Sequence, residues 1–269
     1  MPPRLAIPMP HSLDRDYAER AIPQYERAVR EAGGEPVRVL LDQTPGETIK
    51  IIQSCDGVLL PGSNADIDPI RFGAERSRHT AAADPRRDAV DDLLLQDAYR
   101  WRKPILGICY GLQSLNVFRS GTLIQHIPDF LPEELRTRVN HEAGKKITIA
   151  HSVEIEDDSK LAEIVNGKKV EQGRHKHNFS RADKEKESEV LAAEPKLKLP
   201  VNSSHHQSAD AIGNGLRIVA RCNADGIIEA LEGTAPDHFV LAVQWHPERS
   251  IDQDEASRAI FRALIDAAK

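Results

Sequence analysis

A cysteine between two glycines stands where an apolar segment gives way to a helical pattern, in the pentapeptide Gly-Ile-Cys-Tyr-Gly at residues 107–111. Glycines two residues either side of a nucleophile permit the cramped strand-to-helix turn of the serine elbow, which has the same spacing. The start of a helix also favours the thiolate form of a cysteine. The motif therefore predicts that Cys109 is a nucleophile, and a core cysteine between tight-turn glycines is the alternative.

A cysteine nucleophile needs a base, and the segment Val-Gln-Trp-His-Pro-Glu at residues 243–248 offers one at the end of a predicted strand. The proline after His246 favours an extended backbone, and residues two apart in an extended chain point the same way. His246 and Glu248 can therefore share a face, as when a carboxylate orients an imidazole. A surface His–Glu pair is the alternative, but with Cys109 these residues complete a nucleophile–base–orienter set.

Two further segments could contribute to a binding site. The polar run Asn-Ser-Ser-His-His-Gln at residues 202–207 is weak evidence by itself. Leu-Leu-Pro-Gly-Ser at residues 59–63 reads as a strand and a tight turn, whose amides could face the nucleophile at the carboxyl edge of an α/β sheet. The adjacent His205 and His206, and the pair His175 and His177, lack the further ligands that a zinc site needs. We therefore expect no metal site.

Alternating strands and helices must position these residues. The sequence predicts strands at residues 4–8, 36–41, 56–60 and 104–108, and helices at residues 25–32, 46–54, 84–101 and 112–118. This alternation indicates a parallel sheet covered on both faces. In the last third, residues 216–222 and 227–231 flank Asn-Ala-Asp-Gly, which predicts a hairpin. A strand at residues 239–245 and a helix at residues 256–267 complete the predicted elements.

Composition excludes several classes of protein. The 269 residues include 36 Lys and Arg against 42 Asp and Glu, and this net charge of −6 argues against non-specific nucleic-acid binding. No apolar run is long enough for a membrane span, and the N-terminus lacks the apolar stretch of a signal peptide. Cys55, Cys109 and Cys222 cannot all pair within the chain and lack metal-type spacing. We expect a cytoplasmic protein with reduced thiols.

One charged stretch interrupts the alternation. Residues 167–200 hold nine Lys or Arg and six Asp or Glu among few apolar residues. A solvated surface insertion is one interpretation and a lid that faces the substrate is the other, because loops longer than about 12–15 residues in compact domains are usually functional or disordered. We expect residues 1–269 to form a single domain with a charged insertion at about 168–200.

Six segments occur in the order of one enzyme family: Leu-Pro-Gly-Ser-Asn-Ala-Asp-Ile-Asp-Pro at 60–69, Asp-Pro-Arg-Arg-Asp at 84–88, Gly-Ile-Cys-Tyr-Gly-Leu-Gln-Ser-Leu-Asn-Val at 107–117, Gly-Thr-Leu-Ile-Gln at 121–125, Val-Asn-Ser-Ser-His-His-Gln at 201–207 and Val-Gln-Trp-His-Pro-Glu at 243–248. From about residue 4 to residue 267, apart from the insertion, the chain resembles the γ-glutamyl-γ-aminobutyrate hydrolase family of the class I glutamine amidotransferase-like superfamily. The resemblance implies a flavodoxin-like α/β/α sandwich of three layers with a mostly parallel central sheet.

The resemblance also implies residue roles, with Cys109 as nucleophile, His246 as base and Glu248 as its orienter. The backbone amides implied for an oxyanion hole are those of Gly62, Ser63 and Tyr110. The residues implied for substrate binding are Gln113, Asn202, Ser203, His205 and His206. The chain departs from the family in Tyr110, where members usually carry arginine, and in the length of the insertion.

The implied activity is hydrolysis of small γ-glutamyl amides, such as γ-glutamyl-γ-aminobutyrate, through a γ-glutamyl thioester and without metal or cofactor. A glutaminase subunit that supplies ammonia to a separate synthetase is one alternative, and an inactive γ-glutamyl-binding regulator is another. The expected partner is a small γ-glutamyl substrate, with no nucleic acid and no membrane, and a homodimer is an open expectation. The sequence does not specify the amine half of the substrate.

Overall fold

The computed structural model describes residues 1–167 and 196–269, which build a nine-stranded sheet between helices and a small two-stranded sheet. The strands are β1 (Arg4–Pro8), β2 (Glu35–Val39), β3 (Gly57–Leu60), β4 (Ile105–Ile108), β5 (Leu123–Ile124), β6 (His151–Ile155), β7 (Leu197–Val201), β8 (Ser208–Ala209), β9 (Leu216–Cys222), β10 (Ile228–Gly233) and β11 (Val240–Val243). The helices are α1 (Arg15–Glu31), α2 (Pro45–Gln53), α3 (Pro85–Trp101), α4 (Tyr110–Phe118), α5 (Ile127–Phe130), α6 (Glu133–Arg136), α7 (Lys160–Asn166) and α8 (Glu255–Ala267). None of these helices is long and apolar enough to cross a membrane.

The large sheet changes character along its width. Its strand order is β2-β1-β3-β4-β11-β10-β9-β6-β7, the first five strands being parallel and each later neighbour antiparallel. Strands β3, β4 and β11 are buried along their whole length, as strands covered on both faces must be. The predicted hairpin of β9 and β10 is confirmed and lies in the antiparallel half. The predicted α/β sandwich is therefore confirmed, with a central sheet that is mixed.

Two buried clusters, one on each face of the large sheet, make the three layers. One cluster packs α1 and α8 against the sheet, with Ile22 and Phe261 among its members. The other packs α2, α3 and α4 on the opposite face and includes Leu94. Because successive side chains of a strand point to opposite faces, β4 contributes Leu106 to the first cluster and Ile105 to the second.

The first residues of α3 and α1 test the helix starts that were predicted from the sequence. The N-cap predicted at Asp84 is confirmed, because its side chain accepts a backbone hydrogen bond from the first turn of α3. The predicted start of α1 at residue 25 is wrong, since Asp14 caps this helix much earlier and the helix continues through Pro23. Proline usually disrupts a helix interior. Here the face that includes Ile22 and Tyr25 is buried, and this tertiary packing outweighs the local penalty.

The C-terminal end of the predicted insertion belongs to the sheet. Strand β7 pairs with β6 from Leu197↔Ile155 to Val201↔His151, so residues 197–200 form part of the sheet edge and do not belong to an insertion. Short strands with charged or polar outward residues give little period-2 signal, and β6 was not predicted for the same reason. Residues 168–195 lie outside the described residues, so the insertion and the single-domain organisation stay predictions.

Candidate active site

Cys109 occupies the turn between β4 and α4 with a φ of +53° and a ψ of −104°. A positive φ is rare for a residue with a side chain and persists only where the surrounding structure holds it. Both flanking glycines are required by close contacts. A Cβ on Gly111 would collide with the carbonyl oxygen of Leu60, and one on Gly107 would lie 2.8 Å from the carbonyl oxygen of Gly111. The structure therefore contains the predicted strand-to-helix elbow around Cys109.

His246 and Glu248 follow β11, the strand that runs beside β4. His246 Nδ1 lies 2.7 Å from Glu248 Oε1, and both side chains are buried. Burial opposes the charged imidazolium, but the Glu248 carboxylate and the Cys109 sulfur outweigh it and raise the pKa of His246 to about 9. Burial likewise opposes the charged carboxylate, and the imidazole nevertheless lowers the pKa of Glu248. Near neutral pH the pair is therefore an imidazolium and a carboxylate.

Gly62 shows how close the cysteine and the histidine lie. A Cβ added to Gly62 would be 3.1 Å from His246 Cε1 and 3.6 Å from Cys109 Cβ. Cys109 and His246 open onto one cavity of about 500 Å³, which Ser63 and Gln113 also line. The carboxyl edge of the parallel strands thus brings together the predicted nucleophile and base, as the topology of open α/β sheets favours.

The three predicted oxyanion amides differ in what they contact. The Gly62 N–H donates to Tyr25 Oη at 3.0 Å, so this amide is already paired, and its role in an oxyanion hole stays a prediction. Tyr110 is the first residue of α4, where N–H groups have no acceptor within the helix. Ser63 lines the cavity. The structure leaves the amides of Ser63 and Tyr110 as the candidates for stabilising an oxyanion.

The side chain of Tyr110 points away from the cavity. It is 1% exposed, and its hydroxyl donates to Asp88 Oδ1 at 2.6 Å. The guanidinium carbon of Arg87 lies 4.8 Å from its ring centroid, and Arg87 Nε donates to Asp91 Oδ1 at 2.7 Å. Tyr110, at the position where the resemblance implies arginine, therefore packs the start of α4 against α3.

Two residues of the polar segment 202–207 contact other parts of the protein and do not line the cavity. Asn202 Oδ1 accepts a hydrogen bond from the backbone N–H of His246 at 2.9 Å, and its Nδ2 donates to the carbonyl of the same residue at 2.8 Å. Ser203 Oγ donates to Glu229 Oε2 at 2.9 Å. Asn202 and Ser203 therefore position neighbouring groups, and the substrate-binding role predicted for them stays a prediction.

The other predicted substrate-binding residues, Gln113, His205 and His206, do line the cavity. Gln113 lies one helical turn after Cys109, which places both side chains on the same face of the helix start. His206 Nε2 lies 3.0 Å from Asp66 Oδ1, and this hydrogen bond raises the pKa of His206. These three side chains line the same cavity as Cys109, as a role in substrate binding requires.

The cavity also carries charged residues that the sequence analysis missed: Asp66, Glu142, Lys145 and Arg249. Arg249 directly follows the His-Pro-Glu element, and this adjacency is a signal that could have found it. Glu142 and Lys145 come from a loop without a motif. Of the two histidine pairs considered for metal binding, His175 and His177 lie outside the described residues. The cavity therefore offers acidic and basic groups together, a combination that suits a zwitterionic ligand.

Comparison with known proteins gives relatives along most of the chain. The Peptidase C26 family matches residues 8–196 and 173–248. A protein of Rickettsia prowazekii described as glutamine amidotransferase-like is 32% identical, with 91% of this chain and 88% of that protein covered. The γ-glutamyl-γ-aminobutyrate hydrolase of Escherichia coli O157:H7 is 30% identical, with 91% of this chain and 85% of the hydrolase covered.

Solved structures share the fold at low sequence identity. A protein of Thermoplasma acidophilum described as part of a GMP synthase has a TM-score of 0.57 at 13% identity, with 100% of this chain and 94% of the other covered. The glutaminase domain of Trypanosoma brucei CTPS with bound acivicin has a TM-score of 0.55 at 17% identity, with 98% and 93% covered. This likeness shows the fold, and the family match over most of the chain, with the relative at 32% identity, shows that the chain belongs to the Peptidase C26 family of glutamine amidotransferase-like proteins.

Proposed function

We propose that the chain is a cysteine-dependent hydrolase that cleaves the γ-glutamyl amide bond of small γ-glutamyl compounds to glutamate and an amine. The observation that carries the proposal is the elbow cysteine beside the buried pair of His246 and Glu248. The relative from E. coli O157:H7 is a γ-glutamyl-γ-aminobutyrate hydrolase, which supports this bond and this class of substrate.

The first half of the reaction forms a thioester. An imidazolium beside a thiol favours the thiolate, and His246, with a pKa of about 9, is protonated at neutral pH. The Cys109 sulfur bonds to the γ-carbonyl carbon, and the amides of Ser63 and Tyr110 stabilise the negative charge that develops on the oxygen. His246 then donates its proton to the amine nitrogen as the C–N bond breaks, which leaves a γ-glutamyl thioester.

The second half of the reaction releases glutamate. His246, now neutral, takes a proton from a water molecule whose oxygen adds to the thioester carbonyl. The C–S bond breaks when the tetrahedral intermediate collapses, so the thiolate and the imidazolium return together. Glu248 accepts the hydrogen on His246 Nδ1 in both halves, and the other ring nitrogen therefore remains directed at the reacting atoms.

The charges of the cavity match a γ-glutamyl amide. Asp66 and Glu142 suit the α-ammonium group of the glutamyl part, and Lys145 and Arg249 suit its α-carboxylate. γ-Glutamyl-γ-aminobutyrate carries a second carboxylate on its amine half, which one of the two basic residues can pair with. This complementarity supports an amine with a carboxylate group as the leaving group.

A panel of γ-glutamyl amines, with glutamate release as the readout and Cys109→Ser as the control, tests the proposal. We expect γ-glutamyl-γ-aminobutyrate to be cleaved faster than glutamine, without any partner protein, and the control to be inactive. Preferred release of ammonia from glutamine would favour a glutaminase, in line with the description of the R. prowazekii relative. Tight binding of every compound without cleavage would indicate a regulator and contradict the proposal.

A further inference from the structure

A second group of titratable side chains lies beside the cavity and takes no part in the proposed reaction. His141, His151 and His205 surround Glu229, and these side chains are at most 4% exposed. They come from the loop after α6, from β6, from the segment 202–207 and from β10. In the sequence the only histidine near His205 is His206. The fold brings the cluster residues of the other segments next to it.

The inner ring nitrogens of the three histidines converge on one oxygen atom. His141 Nδ1, His151 Nε2 and His205 Nε2 each lie 3.1 Å from Glu229 Oε1. All four atoms lie within 4.8 Å of one another. The ligand atoms of a tetrahedral zinc ion are separated by about 3.3 Å, because the Zn–N and Zn–O bonds are each roughly 2.0–2.1 Å long. The three nitrogen–oxygen distances are therefore close to the spacing of ligand atoms in a four-coordinate metal site.

The outer ring nitrogen of each imidazole lies near an oxygen atom. Each faces an oxygen that can only accept: Asp225 Oδ2 at 2.8 Å from His141, the Gln207 carbonyl at 2.7 Å from His205, and the Ser152 carbonyl at 3.4 Å from His151. In a neutral imidazole the inner nitrogen then bears a lone pair. The buried His151 Nε2 makes no hydrogen bond with the described residues. In that tautomer four electron-rich atoms face one another, an arrangement that a bound cation would stabilise.

A divalent ion is compatible with the charges of the cluster. Together with neutral imidazoles, it would balance the carboxylates of Glu229 and Asp225. The ring centroid of His141 lies 4.7 Å from that of His151 and 4.9 Å from that of His205, so the three rings crowd around one carboxylate.

We propose that His141, His151, His205 and Glu229 bind one divalent transition-metal ion, and that Zn²⁺ best matches this set of three imidazoles and one carboxylate. Asp225 orients His141 through its outer nitrogen, the contact that carboxylates make with zinc-bound histidines. Protein atoms fill all four positions, so the ion is structural and activates no water molecule.

The ion would fix the wall of the cavity to the sheet. Ser203 Oγ donates to Glu229 Oε2, and the neighbouring Asn202 holds the backbone of His246 from both sides. Metal binding therefore positions the segment 202–207 and, through Asn202, the proposed base. His205 is the ligand that also lines the cavity. Zinc content and melting temperature are measured without substrate, so the metal site can be tested separately from the proposed reaction.

Metal analysis of protein purified without an affinity tag tests the site, in a Cys109→Ser background that removes the thiolate as a competing ligand. We expect about one zinc ion per chain, because structural zinc is bound as part of folding. Removal of the ion by a chelator should lower the melting temperature by several degrees, and added Zn²⁺ should restore it. Co²⁺ in its place should give the visible absorption of a four-coordinate ion.

Three variants in the same background locate the site. Glu229→Gln should lose the bound zinc, and Asp225→Asn should weaken zinc affinity by about 10–100-fold. His238→Gln is the matched control, because this buried histidine contacts the Lys103 carbonyl and should leave zinc content unchanged. The proposal is overturned if folded, chelator-treated parent protein takes up neither Zn²⁺ nor Co²⁺, or if Glu229→Gln binds zinc as tightly as the parent. If Glu229→Gln does not fold, the measurement on the parent decides.

Discussion

At the scale of single residues, the three buried cysteines differ in what surrounds the thiol. Cys109 lies at the start of α4 with His246 beside it. Burial raises the pKa of Cys55, and Cys222 is enclosed at the end of β9. Iodoacetamide at neutral pH should therefore label Cys109 first, because the thiolate is the reactive form. Peptide mapping by mass spectrometry checks this order, and earlier labelling of Cys55 or Cys222 would contradict the nucleophile assignment.

The pair of His246 and Glu248 predicts how the rate depends on pH. Because the pKa of His246 is about 9, the acid that protonates the leaving amine is lost only as the pH rises through that value. The kcat/KM should therefore fall on the alkaline side near pH 9, since this profile reports the free enzyme. Glu248→Gln removes the charge that raises the pKa of His246, so the alkaline fall should move to lower pH.

His246→Ala is the variant against which the remaining activity of Glu248→Gln is compared. It should approach the loss of turnover of Cys109→Ser, because the members of such a set act as a unit. Glu248→Gln should retain more activity than His246→Ala. An alkaline limb that stays in place in Glu248→Gln would mean that the carboxylate does not set the pKa of the base.

The sequence was sufficient for residues whose signal lies within a few positions of them. Cys109 was found from its two glycines, and Glu248 from its spacing to His246. The contact of Asn202 with the backbone of His246 was not predicted, because the two residues lie 44 positions apart in the chain. The neighbours of Glu229 come from separate segments for the same reason, and no local pattern joins them. Long-range contacts of polar side chains were therefore the part that spacing alone could not predict.

At the scale of elements, two glycines occupy the second position of nine-residue helices and have opposite surroundings. Gly111 in α4 has Leu60 against it, whereas a Cβ on Gly46 in α2 would meet nothing within 4 Å. Gly111→Ala should therefore lower the free energy of unfolding by about 1–3 kcal/mol or more, as overpacking does. Gly46→Ala should be neutral or stabilising, since alanine favours helix. Chemical denaturation of both variants measures the difference, and equal effects would contradict the close approach of α4 to β3.

The hydrophobic pattern of the sequence predicted some strands and helices better than others. Strands β3, β4 and β11 are continuous apolar runs, and the sequence located them to within about one or two residues, the usual uncertainty of element ends. Helix α1 was predicted only from residue 25, whereas its buried face begins at Ala18 and runs through Pro23. Strand β6 begins with His151 and alternates weakly, so tertiary pairing with β9 and β7 decides its structure.

At the scale of the whole molecule, the two halves of the sheet contribute different parts of the site. The parallel half carries the elbow of Cys109, and the antiparallel half carries Glu229 on β10. The halves meet where β11 pairs with β4 on one side and β10 on the other. The cavity therefore lies where parallel pairing ends, next to the strand that leads to His246.

Replacement of residues 168–195 by a short Gly-Ser linker tests the predicted insertion. We expect a melting temperature within a few degrees of the parent and unchanged labelling of Cys109, because the described residues form both cores and loop closure depends only weakly on length. Failure to fold would contradict an insertion. Unchanged kinetics across γ-glutamyl amines would indicate a surface segment, whereas a raised KM and a broader amine preference would indicate a lid.

The positive φ of Cys109 means that the active protein is not the most stable form of its own fold. Glycine adopts such a backbone freely, whereas any side chain there costs free energy. Cys109→Gly should therefore unfold at a higher denaturant concentration than Cys109→Ser, by about 1 kcal/mol in stability. Selection for thermal resistance alone would therefore favour glycine at residue 109. The proposed role of Cys109 as nucleophile would account for the cysteine that stands there.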